Sequence, residues 1–306
     1  MSVDPDPKLA PRGRSRFPFG FATGFYEFVA QRREMIEVIT YADLDWGDDY
    51  DGEAWYPDEL ARWRMKSSAL RDAGKCQLLI QHDVDSGPQR SMAMVHLERT
   101  LGLRSNVMIF NQRVDRARLR QEGQLAYTDY LLDDALLSDA ERDGFVIGFH
   151  FNSMERAAWN KGLARRLFEK DLSELRTRHS IDFVSAHGGV AGPDGSNNRD
   201  LLLPDQRRLG VRWVHNGQTP RFTRSFSDGG LNRGKVDPAT RDLRNFIGAF
   251  APGERYRVLL HPQYYDADSA PKPAPGMQGT PWYDALFAQY EIDPSADSWG
   301  DVELAW

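Results

Sequence analysis

The sequence predicts an α/β fold with mainly parallel strands, arranged as a sheet or a barrel. Three observations carry this. From Gln77 onward, short apolar runs, often β-branched, alternate with longer helix-patterned stretches. Parallel strands need crossover connections, and helices between the runs supply them. Polar, chemistry-bearing residues recur just past the apolar runs, where parallel α/β folds gather their ligands. With 306 residues, 41% of them hydrophobic, the chain can fill one barrel-sized core without a domain split.

Taken in order, residues 1–16 are rich in Pro, Arg and Asp and read as a flexible arm. Phe17–Leu44 mixes aromatics with Gly, and a strand is expected at Glu37–Tyr41. Asp45–Tyr56 is acidic, carries Trp46 and Trp55, and reads as a loop. Pro57 suits a first helical position, so a helix is expected over Pro57–Ala73, ending at Gly74. Strands follow at Leu78–Ile80, Asn106–Phe110, Val146–Phe151, Phe183–Ala186, Val211–Val214 and Arg257–Leu260. The helices expected between them are Gln89–Leu101, Thr128–Asp143, Asn160–His179, Arg199–Leu209 and Pro238–Ala251. After Pro262 the chain reads as wrapping loops with one helix near Trp282–Tyr290. Residues 1–75 are thus expected to form an N-terminal extension packing on the α/β domain of residues 76–306, which ends in the wrapping loops.

Composition narrows the function. A net charge of −6 and a pI near 5.7 argue against non-specific nucleic-acid binding, which needs a basic face. The basic run Arg116–Arg120 reads as a solvated helix face. The single cysteine, Cys76, excludes an internal disulfide and any multi-cysteine metal site, and is expected to be half-buried. The N-terminus lacks a basic segment followed by an apolar one, and no apolar stretch reaches the ~20 residues of a membrane span. The expectation is a soluble, cytoplasmic protein with no nucleic-acid partner and no membrane partner.

The chemistry concentrates at strand ends. The first strong run leads into Gln81-His82-Asp83-Val84-Asp85. Buried unpaired charges are costly, so such a cluster points to a metal, an ion pair or catalysis. On an extended strand Asp83 and Asp85 share one face, and His82 lies on the other. A plainer reading exists for Asp85: Asp85-Ser86-Gly87-Pro88 is good turn and helix-capping chemistry. Of seven histidines, five (His82, His150, His187, His215, His261) follow apolar runs, while His96 and His179 fall in expected helices. Histidines converging on one rim suggest a metal or acid–base site. Trp159, Trp213, Tyr264, Tyr265 and Trp282 either pack or form a sugar-stacking rim. The Gly-rich stretches His187-Gly188-Gly189-Val190 and Asp228-Gly229-Gly230 lack a phosphate-loop lysine pattern.

The order His-Asp-Val-Asp, then Gly148-Phe149-His150, then His187-Gly188-Gly189, then Leu259-Leu260-His261-Pro262 resembles the polysaccharide deacetylase (NodB-homology) superfamily. The resemblance spans Gln77 to Pro262. It implies a distorted (β/α) barrel of about seven strands, one divalent metal, usually zinc, and removal of acetyl groups from N-acetylated sugars, and so a metal-dependent amide hydrolase with a small-molecule or carbohydrate substrate. Carried over by position, Asp83 is the catalytic base, Asp85 and His150 are metal ligands, and His261 is the catalytic acid. In that scheme the metal polarises the amide carbonyl and activates a water, Asp83 takes the proton, and His261 protonates the departing amine. The family's second metal-motif histidine is replaced by Met154, a poor ligand for such an ion. His187 is the preferred substitute third ligand, with Asn152 and Glu155 as local alternatives. The family's Arg-x-Pro motif is replaced by Ser185-Ala186-His187-Gly188-Gly189. The second functional expectation is a barrel of the same kind without hydrolysis, binding a glycan or nucleotide sugar or serving in a complex.

Overall fold

The computed structural model describes residues 17–44, 74–188, 192, 194–201, 206–214, 222–228, 243–266 and 304. The expected N-terminal arm, the loop and helix between residues 45 and 73, the His215-Asn216-Gly217 turn and the helix near Trp282–Tyr290 lie outside the described residues.

In chain order, β1 (Phe17–Pro18) leads into α1 (Phe19–Gln31), β2 (Ile36–Ile39) and β3 (Cys76–Val84). Then come α2 (Pro88–Thr100), β4 (Asn106–Ile109), β5 (Arg113–Val114), α3 (Arg116–Glu122) and β6 (Tyr127–Thr128). These are followed by α4 (Asp134–Arg142), β7 (Val146–Phe151), α5 (Ser153–Arg156), α6 (Lys161–Leu175) and β8 (Phe183–Ala186). The last group is α7 (Gln206–Leu209), β9 (Arg212–Trp213), β10 (Arg224–Ser227), α8 (Leu243–Gly248), β11 (Arg255–Leu260) and β12 (Tyr265–Asp266). The main sheet runs β10-β11-β3-β4-β7-β8-β9 with every pairing parallel, and it curls into a half-barrel. The expected α/β class with mainly parallel strands is therefore observed.

Two differences concern the ends of elements. The helix expected over Thr128–Asp143 starts only at Asp134, because Thr128 pairs with Arg113 in a short antiparallel ladder. Asp133 then caps it, accepting from Leu136 N at 2.9 Å. The stretch expected as one helix over Arg199–Leu209 contains a 3₁₀ turn (Asn198–Asp200) and the short α7.

The N-terminal segment joins the sheet directly. β2 pairs in parallel with the first half of β3, Ile36 opposite Cys76 and Ile39 opposite Leu79. β4 pairs with the second half, Gln81 opposite Asn106 and Val84 opposite Ile109. The Asn106 side chain sits where those two neighbours meet, accepting from Tyr41 N and donating to Ile80 O, both at 2.8 Å.

Strand alternation sorts the side chains into an outer and an inner set. On the outside, Leu78, Ile80, Tyr256, Val258 and Leu260 pack beneath α1 and α8, in a cluster that holds Phe25, Tyr26, Phe246 and Ile247. Val107, Ile109, Ile147, Phe149, Phe151 and Val184 meet residues of α4 and α6 in a second cluster. Inside, Ile39, Tyr41, Leu79, Met108, Val146 and Phe183 fill the end of the half-barrel where the strands begin. The inner positions further along are polar: Gln81, Asp83, His150 and Ser185. Cys76 is wholly buried in the outer cluster rather than half-buried, and burial pushes its thiol up to about 12.

Candidate metal centre

Strand register brings the strand-end residues together. β7 pairs with β8 so that His150 stands opposite Ser185, two residues before His187. β3 delivers Asp83, and the chain leaves the strand at Val84 with Asp85 in the following turn. Asp85 does not cap α2. The capping position is Gly87, in a left-handed conformation with no side-chain bond, and Pro88 opens the helix.

The Asp85 carboxylate instead faces the histidines. Its Oδ1 lies 3.2 Å from His150 Nε2 and 3.7 Å from His187 Nε2. One ligand atom from each of Asp85, His150 and His187 falls within 4.8 Å of the others, a group able to hold a metal ion. Asp85 Oδ1 is buried and makes no well-formed hydrogen bond, while Oδ2 accepts from Gln263 Nε2 at 3.0 Å. A buried carboxylate oxygen without a hydrogen bond, aimed between two imidazoles, fits a divalent cation and the N/O donor set it prefers. Burial alone would raise the Asp85 carboxyl. The neighbouring His187 and His150 rings reverse this and hold it well below the usual carboxylate range.

Each imidazole has an orienting partner. His150 Nδ1 lies 2.7 Å from Ser185 Oγ, leaving Nε2 toward the two aspartates. Burial opposes its protonation, but the Asp83 and Asp85 carboxylates outweigh burial and raise it above its ordinary value. His187 Nδ1 lies 3.7 Å from Glu155 Oε2. Phe110 stacks on His150 with ring centroids 5.2 Å apart and meets His187 edge-on at the same separation. Such contacts fix ring planes, which ligand geometry requires.

The two local alternatives for a third ligand turn elsewhere. Asn152 donates to Gln112 O at 3.0 Å. Glu155 pairs with Arg116, whose Nε and Nη2 donate to its two oxygens at 2.8 and 3.2 Å. Met154 is fully buried among Phe151, Phe168 and Leu172 and belongs to the core.

Beside this group stand Asp83 and His261. Asp83 Oδ2 is 3.7 Å from His150 Nε2 and 3.9 Å from His261 Nε2. Its other oxygen accepts from Gln81 Nε2 at 2.6 Å. His261 is held by Asp228, fully buried at the end of β10, which accepts from His261 N at 2.6 Å and faces Nδ1 at 2.5 Å. Burial would lower the His261 imidazole. The Asp228 charge and hydrogen bond, helped by Asp85 and Asp83, overcome that and raise it to about 9. The His261 imidazole is thus favoured in its protonated form at neutral pH.

No protein-family model matches this chain, and no curated protein matches it significantly.

Some of these residues bear little mark in the sequence. Asp228 reads only as part of a Gly-rich turn. Arg116 keeps its side chain 41% exposed, as a solvated helix face predicts, yet its Nη2 also reaches within 3.0 and 3.2 Å of the two His187 ring nitrogens. Gln81 and Ser185 were findable, since alternation puts them on the faces of Asp83 and His187. Alternation also sends His82 outward, to Glu98 Oε1 at 2.9 Å, as expected. His179 lies past the end of α6, buried against Glu141 and Asp134. His96 is partly buried on α2. Of the aromatics, Trp213 and Tyr265 are buried packing residues, Tyr264 lies with its ring 5.1 Å from His261, and Trp282 is outside the described residues. Among the described residues no helix is long and apolar enough to cross a membrane.

Proposed function

We propose that this chain is a metal-dependent hydrolase of a C–N amide bond, removing the acyl group from an N-acylated sugar or small metabolite. One observation carries the reading: three metal-competent groups, Asp85, His150 and His187, share a rim with a buried carboxylate and a charged imidazole. The resemblance to polysaccharide deacetylases assigns Asp83, Asp85, His150 and His261 the same parts. Two imidazoles and one carboxylate suit zinc with a coordination position left open. Bound there, such an ion would supply Lewis acidity toward the amide carbonyl and a water of lowered pKa.

The protein's residues divide the proton work. Asp83 Oδ2 faces the site and accepts the proton of the attacking water. His261, protonated and fixed through Nδ1 by Asp228, presents Nε2 to the leaving nitrogen and donates to it. Ser185 keeps the His150 ring turned with Nε2 toward Asp85, and the Arg116–Glu155 pair lies against the His187 ring.

The experiment is metal analysis of protein purified without chelator, together with Asp85→Ala and His150→Ala. About one divalent ion per chain is expected in the wild type and its loss in both variants. Wild-type protein that is folded and metal-free, and stays so when dialysed against zinc, would overturn the reading. His187→Ala is expected to weaken binding by roughly tenfold or more. Full retention would return the third position to Asn152 or Glu155.

A further inference from the structure

Gln81 lies fully buried on the inner face of β3, two residues before Asp83. Its amide is clamped from one side. Oε1 accepts from the Tyr41 hydroxyl at 2.5 Å and from Arg257 Nη2 at 2.7 Å. A guanidinium can only donate. Tyr41, buried and pushed up to about 12, keeps its proton and donates as well. Two donors on one oxygen leave a single orientation for the amide, with Nε2 directed at Asp83. That group donates to Asp83 Oδ1 at 2.6 Å. The other carboxylate oxygen, Oδ2, is the one that faces His150 and His261.

We propose that Gln81, clamped by Arg257 and Tyr41, is a positioning residue that fixes the carboxylate plane of Asp83 and selects Oδ2 as the oxygen presented to the reacting water. This rests on the hydrolase reading of the same site. All three partners reach Gln81 from fixed elements. Arg257 stands on β11 four residues before His261 and, by alternation, on the same face. Tyr41 opens the 3₁₀ turn after β2 and packs in the inner apolar cluster. The β11–β3 register, with Leu259 opposite Gln81, brings the strand that carries the acid alongside the strand that carries the base. One hydrogen-bonded chain therefore ties the placement of Asp83 to the strand of His261. Rigid placement of this kind matters, because a misplacement of about 1 Å at a reacting group costs about a hundredfold in rate.

Two readouts test it on the full-length, zinc-reconstituted chain. In NMR spectra of protein labelled with ¹⁵N at glutamine side chains, one Gln81 amide proton is expected far downfield and slow to exchange. Asp83→Ala, which removes the acceptor, and Arg257→Met should each abolish that signature, while Arg257→Lys, which keeps a donor, should preserve it. A rapidly exchanging Gln81 amide that ignores Asp83→Ala would overturn the clamp. The kinetic readout is hydrolysis of 4-nitroacetanilide. Gln81→Glu retains the partnership with Arg257, and hence the fold, but turns an acceptor toward Asp83 Oδ1. Its kcat is expected to fall roughly tenfold to a hundredfold with KM and zinc content unchanged. Gln81→Glu at wild-type kcat beside an inactive Asp83→Asn would sink the positioning role and leave the hydrolase reading standing. Asp83→Asn at wild-type kcat would sink the hydrolase reading itself.

Discussion

Asp228 accepts from both the backbone N–H and the ring of His261, and the Tyr265 hydroxyl also bonds to it. A buried carboxylate so placed holds an imidazole charged. Replacing it by Asn keeps the shape but removes the charge, so His261 in Asp228→Asn should fall from about 9 toward its ordinary range. A titration of the His261 Cε1–H resonance in metal-free protein measures this. A folded-state value raised above the unfolded one favours the fold at low pH. The contribution, roughly 3 kcal/mol, is complete below about pH 6.5 and disappears as pH rises through about 9. For Met154 the expectation is the reverse of a ligand's. Met154→Ala should leave metal content unchanged and destabilise the fold by about 2–5 kcal/mol, because a wholly buried side chain is lost from the core. Denaturant titration and metal analysis on one sample separate the two roles.

At the scale of elements, strands with continuous apolar runs were legible and those without were not. Val146–Phe151 and Phe183–Ala186 are found with their expected bounds, since each is predominantly apolar and broken only on its inner face, by Gly148 and His150 or by Ser185. β10, Arg-Ser-Phe-Ser, has one buried apolar side chain and takes its place by pairing with β11, and its end carries Asp228. The helix α1 was hidden for another reason. Its sequence holds two glycines and many aromatics, poor intrinsic helix formers, and Phe25, Tyr26, Phe28 and Val29 stabilise it by burial in the outer cluster. The candidate ligand His187 is legible as a strand-end residue, but its partner Arg116 is not, because only tertiary folding brings α3 to it. Gly148 on β7 offers a test of how tightly these elements fit. A Cβ there would meet Met108 Sδ at 2.5 Å and Phe183 O at 3.0 Å, so a side chain fits only if the buried Met108 moves and the β8 backbone gives slightly. Gly148→Ala should cost about 1–3 kcal/mol by overpacking. It should also weaken zinc binding, since His150 lies two residues along the same inner face. Thermal denaturation and zinc titration report the two effects. An unchanged zinc affinity would mean that β7 absorbs the strain without moving its end.

For the whole molecule, the candidate ligands come from parts of the chain far apart in sequence yet adjacent in the sheet. Asp85 follows β3, His150 lies on β7 and His187 follows β8. Of these strands only β7 and β8 pair directly, and β4 separates β3 from β7. An ion held by all three would therefore clasp the open half-barrel across β4, at the end where polar residues line the inner face and apolar packing is least. The opposite end is already closed by Ile39, Tyr41, Leu79, Met108 and Phe183. Binding to the folded state alone stabilises by mass action, about 2.7 kcal/mol at a free ion concentration one hundred times Kd. Zinc is thus expected to raise the melting temperature by several degrees in a concentration-dependent way, and chelator to reverse it. The gain should be uneven along each strand. Amide hydrogen exchange should slow on zinc addition at the carboxyl ends of β3, β7 and β8, around Val84, Phe151 and Ala186. At their starts, around Leu78, Val146 and Phe183, it should change little. Uniform slowing would mean that the ion acts on global stability only. Slowing confined to β3 would mean that Asp85 binds it without the histidines.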